Sequence, residues 1–86
     1  MLLTMRSTGL SSDPNRQDWS IHEDGAEIGR LYEDLQARDP ENRWYWSITL
    51  MGPARARCQC EGREPMLERA KAGFRRALER FKAANA

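Results

Sequence analysis

The chain has 86 residues, 40% of them hydrophobic and 31% charged, with a formal net charge of +1. A second core would need roughly 50 further residues to bury enough surface, so the length admits one domain, and this balance of apolar and charged residues excludes intrinsic disorder. No run approaches the roughly 18 apolar residues of a membrane span, and residues 1–6 are too short for the apolar centre of a signal peptide, which leaves a cytoplasmic location as the expectation.

Residues 1–16 open on Leu2, Leu3 and Met5 and then collect Ser7, Gly9, Ser11, Ser12, Asp13 and Pro14, turn formers with little to bury. They predict a loose arm, with a short edge strand over residues 2–6 as its one regular candidate. The domain proper is expected over residues 17–86. From 17 to 22 the alternation sets Trp19 and Ile21 on one face and Asp18, Ser20 and His22 on the other, the period of a half-buried strand. Asp24-Gly25 then predicts a tight hairpin, because glycine takes positive φ without a Cβ clash. The return strand runs from 26 to 33. Within it Ile28 and Tyr32 share a parity that Leu31 breaks, so Gly29 is the expected site of a bulge. A helix over 27–37 competes, since Ile28, Leu31, Tyr32 and Leu35 also fit a helical face; the hairpin turn favours the strand.

Residues 36–42, with Asp39-Pro40 inside them, predict a polar loop, because the residue before proline is biased away from helix. The strongest strand follows over 43–51, with Trp44, Trp46, Ile48 and Leu50 on one face and Tyr45, Ser47, Thr49 and Met51 on the other. Gly52-Pro53 turns the chain, and 54–61 alternates again, placing the small residues Ala54, Ala56, Cys58 and Cys60 on one inner face. Such a face lets a bulky element approach closely. That element is an amphipathic helix from about 65 to 84, whose Leu67, Ala70, Phe74, Ala77, Leu78 and Phe81 recur at three- and four-residue steps. Pro65 suits its first position, and Glu64 and Glu68 suit the positive end of its dipole. The expected fold is α+β: an antiparallel three- to four-stranded β-meander with one long C-terminal helix packed on one face, the other face left open.

Groups for catalysis are few. His22 is the single histidine, no serine or cysteine sits in a recognisable nucleophile context, and the pairs Glu23-Asp24 and Glu33-Asp34 point to opposite sides of an extended chain. Cys58 and Cys60 with His22 would make only three zinc ligands of the four a structural site needs, so the cysteines are expected as reduced, small core residues against Phe74 and Leu78. No catalytic residue, cofactor or metal is therefore assigned, and the chain is expected to be non-enzymatic.

Binding is the alternative. Residues 1–42 hold four arginines against nine acids and residues 43–86 ten Lys/Arg against four acids, so the halves carry −5 and +6. Charges split this way can attract each other inside one fold or across a symmetric dimer. Tyr45, Thr49 and Met51 on the uncovered sheet face would be too apolar to be indifferent to water, and Leu31 is a candidate to join them. A homodimer or a protein partner covering this face is the leading expectation. Arg55 and Arg57, projecting from the same face, could instead meet the phosphates of RNA or DNA while Tyr45 stacks a base. The helix adds Arg69, Arg76 and Arg80 as one exposed stripe and Lys71, Arg75 and Lys82 as another, interleaved with Glu68 and Glu79. Those glutamates allow local pairs such as Arg75 with Glu79 and Glu79 with Lys82.

The segment from Gly62 through "EPMLERAKAGFRRALERF" looks like the strand-to-helix junction of small β-β-β-α domains related to HicB antitoxins. "WYWSI" and "EIGRLY" are similar to strands in a group of short uncharacterised proteobacterial proteins of β-meander-plus-helix type. Both resemblances imply the fold. Neither implies operator binding, since the chain shows no appended ribbon-helix-helix or helix-turn-helix segment.

Overall fold

The computed structural model describes residues 3–8 and 17–85. Most of the expected N-terminal arm, residues 9–16, lies outside the described residues. The remainder forms five antiparallel strands in sequence order: β1 (Leu3–Ser7), β2 (Asp18–Glu23), β3 (Ala26–Glu33), β4 (Trp44–Ile48) and β5 (Glu61–Glu64). A single long helix, α1 (Leu67–Asn85), follows and packs on β4, β5 and the turn that joins them. The meander-plus-helix architecture is thus the expected one, extended to five strands because the edge candidate near the N-terminus is paired with β2 along Leu3↔Glu23 to Ser7↔Trp19.

The β2–β3 hairpin turns at Asp24 (φ 51) and Gly25 (φ 89), both in the left-handed region that suits a two-residue turn. Its register runs Trp19↔Leu31 and Ile21↔Gly29, then slips to His22↔Glu27, leaving Ile28 as an extra residue on β3. This is a bulge, and it explains the broken parity: Ile28 and Leu31 are both buried, while Tyr32 points to the other face. Leu31, at 0% exposure, belongs to the core and not to the uncovered face.

Ala70, Phe74, Ala77, Leu78 and Phe81 of α1 close over Leu31, Trp44, Trp46 and Ile48, the covered face of the sheet. The helix begins at Leu67, two residues after Pro65, with Ala70 N–H donating to Met66 O at 3.0 Å. At its far end Lys82 pairs with Glu23, fastening α1 to the β2–β3 hairpin in place of a local Glu79 pair. Lys71 pairs locally, with Glu68.

One expected element is corrected. Residues 54–61 are no strand: Pro53–Ala56 form a 3-10 turn, and the chain does not rejoin the sheet until Glu61. The alternation of small and polar residues satisfied the period of a strand but contained no β-branched or aromatic residue to pack as one. Ala54 is buried beneath α1 as the small residues suggested, and Cys58 and Cys60 pack partly against the core as free thiols.

Candidate functional site

The uncovered face of the sheet is built from rows of paired residues. One row is Asp18–Tyr32–Tyr45–Arg63 and the next Arg6–Ser20–Arg30–Ser47–Glu61, each set by the antiparallel register. Arg30 Nη2 donates to both carboxylate oxygens of Asp18 at 2.9 and 2.8 Å, and its guanidinium lies 5.8 Å from the centre of the Tyr32 ring. Arg63 donates to Asp34 at 2.9 Å and lies 5.2 Å from the Tyr45 ring. The two tyrosine rings meet at 5.1 Å between centroids. Ser20 Oγ donates to the Arg6 carbonyl at 3.3 Å and sits 2.9 Å from His22 Nε2.

This face is therefore polar and charge-balanced, which corrects the expectation of an apolar one. Both guanidiniums that stack on tyrosine are also held by a carboxylate, so the row offers ring surface without a net positive field. Tyr45 O–H donates to Glu61 Oε2 at 2.5 Å. Burial, that hydrogen bond and the Glu61 charge together hold the Tyr45 phenol above its ordinary pKa.

The five candidate contact residues do not form one patch. Only Tyr45 stands on the sheet face. Thr49 follows the end of β4, its N–H donating to Ile28 O at 2.9 Å, and Met51 lies exposed in the connection beyond. Arg55 turns back on the chain, donating to the carbonyls of Ile48 at 2.7 Å and Leu50 at 3.0 Å, so it closes the end of β4 and does not project from the sheet. Arg57 is exposed in the turn that packs against α1, where Cys58 Sγ approaches the Arg80 carbonyl at 3.8 Å. The segment expected on the open face thus lies on the helix side. His22 is on the uncovered face and the cysteines are on the helix side, and among the described residues no cluster of three His, Cys, Asp or Glu is placed to hold a metal.

The two edges of the sheet differ in character. β5 carries charge at three of its four positions, Glu61, Arg63 and Glu64, which blunts it against pairing. β1 carries a single arginine among Leu3, Thr4, Met5, Arg6 and Ser7, and among the described residues no strand pairs with its outer side. Because α1 sits toward β4 and β5, the covered face beside β1 is left as a groove of about 180 Å³ lined by Leu3, Met5, Ile21 and Phe74, with Lys71 and Arg75 on its rim. The notion of an edge strand near the N-terminus was legible in the sequence. The groove was not, since it depends on where the helix lies across the sheet.

No family model matches the chain, and no curated protein or solved structure matches it either.

Proposed function

We propose that the chain is a non-enzymatic binding module whose first partner is a second copy of itself, joined through antiparallel pairing of the two β1 edges about a twofold axis. The observation that carries this reading is the contrast between the edges: β5 is charged, while β1 presents half-buried Leu3 and Met5 beside an incompletely covered apolar groove. A register centred on Met5 sets Leu3 opposite the partner's Ser7 and Thr4 opposite the partner's Arg6, so no like charges face each other directly. The Leu3 and Met5 side chains of both copies then extend one apolar strip along the groove.

This register has a specific test. In a chain carrying Cys58→Ser and Cys60→Ser, Met5→Cys should oxidise to a covalent dimer, because the two residues oppose each other at the axis. Arg38→Cys, exposed and remote from β1, should not. Equal crosslinking at both positions, or none at Met5, would sink the proposed pairing.

Nucleic-acid binding is the second reading, now moved to the helix side. It is favoured by Arg57, Arg69, Arg76 and Arg80, which are exposed and have no ion-pair partner among the described residues. Binding of this kind must weaken steeply with added salt as counterions are released. Labelled RNA and DNA that fail to bind at low salt would remove it.

A further inference from the structure

A second feature lies at the opposite end of the sheet from β1. Trp46 is 3% exposed, and its indole is held in a slot between two glycines. A Cβ on Gly62 would lie 2.5 Å from Trp46 Cζ2, and one on Gly73 would lie 2.9 Å from Trp46 Nε1. The ring is fixed by these contacts, with its N–H edge against Gly73. Buried tryptophan N–H groups ordinarily donate a hydrogen bond. This one finds no acceptor among the described residues.

Gly73 and Trp46 also line a groove of about 160 Å³ between β5 and α1, together with Gln59, Glu64, Arg76 and Arg80. Arg76 and Arg80 stand one helical turn apart, an arrangement in which like charges repel unless an anion lies between them. The lysines of α1 are paired, Lys71 with Glu68 and Lys82 with Glu23, whereas neither of these arginines is paired among the described residues. An unpartnered buried donor and two unpaired guanidiniums therefore border one small concavity. Glu64 lines the same wall, and its carboxylate suits a hydroxyl or ammonium on the ligand.

We infer that this groove binds a small oxyanion, a carboxylate or a phosphate group on a short stem, with Arg76 and Arg80 holding the charge beside the unpartnered Trp46 Nε1–H. The inference stands apart from dimerisation: β1 takes no part in the groove, and a strictly monomeric chain would retain it.

The three indole N–H signals of Trp19, Trp44 and Trp46 provide the readout, with the Trp46 signal assigned from Trp46→Phe. Inorganic phosphate and glycolate are titrated separately against the full chain in two-dimensional nitrogen–proton spectra, with sodium chloride as the ionic-strength control. The Trp46 signal should move saturably with phosphate, glycolate or both, while Trp19 and Trp44 stay in place. Movement with one anion alone identifies the phosphoryl or the carboxylate source. Arg76→Gln combined with Arg80→Gln alters only exposed side chains and keeps the fold, and it should weaken binding at least about tenfold through loss of the charge-assisted contacts. No Trp46 movement with either anion, the same movement in the double variant, or a common drift of all three signals that sodium chloride reproduces would overturn the assignment.

Discussion

Glycine positions set how closely the aromatic core approaches the sheet. Gly29 faces Phe74 so tightly that an added Cβ would lie 2.3 Å from Phe74 Cε2 and 2.6 Å from the backbone oxygen of Ser47. Since a buried ring and a strand carbonyl cannot both retreat, Gly29→Ala should destabilise the fold by about 1–3 kcal/mol in urea unfolding, the usual range for overpacking. On the uncovered face, removing Arg30 leaves the buried Asp18 carboxylate without the guanidinium nitrogen from which both its oxygens accept. Arg30→Ala should cost about 1–3 kcal/mol, toward the lower end because Arg30 itself is 35% exposed and solvent screens part of the pair. Tyr45 carries a pH signature. Its folded pKa is raised, first by burial and then by Glu61, so the fold favours the neutral phenol; that stabilisation is complete below the ordinary phenol value and is lost as pH rises through the raised one. Phenolate absorbance should therefore show Tyr45 ionising later than a free tyrosine, and Glu61→Gln should bring it back toward the ordinary range. The sequence placed Tyr45 on the correct face through simple alternation. It could not show Glu61 beside it, because that neighbour comes from a strand whose start was misplaced.

At the scale of elements, the hairpin, β4 and α1 were legible because each combines an unbroken period with local chemistry that agrees: Asp24-Gly25 at the turn, three aromatics in β4, one apolar stripe in α1. Residues 54–61 show the limit of periodicity alone. Alanine, cysteine, arginine and glutamine can alternate without wanting a strand, and Gly52 at φ 149 followed by Pro53 starts a 3-10 turn instead. The ion pair between Lys82 and Glu23 joins the end of α1 to the hairpin across the surface. Exposed pairs of this kind contribute little, so Lys82→Ala should change stability by less than about 1 kcal/mol and lose that effect in high salt. β1 makes the sharper prediction. Met5→Lys puts a charge on the pairing edge and into the adjoining groove, beside Lys71 and Arg75, and should abolish self-association while leaving the helical circular dichroism of α1 intact, since α1 takes most of its packing from β4 and β5.

Across the whole molecule, the opposed charges of the two halves are partly spent inside the fold: Arg43 pairs with Glu33, Arg63 with Asp34 and Lys82 with Glu23, each a base of the second half with an acid of the first. The asymmetry thus supports the internal reading without requiring a partner. Among the described residues, what remains uncovered is the apolar groove beside β1, a consequence of one helix lying over a five-stranded sheet toward the β4–β5 end. Pairing two β1 edges would give one continuous ten-stranded sheet and shelter both grooves about the same axis. Light scattering coupled to size exclusion, run on the chain and on Met5→Lys over a range of concentrations, tests this claim most directly. The first should run at twice the 10.0 kDa mass of one chain and the second at the single-chain mass. A chain that stays at the single-chain mass at high concentration, or a Met5→Lys variant that remains dimeric, would contradict it.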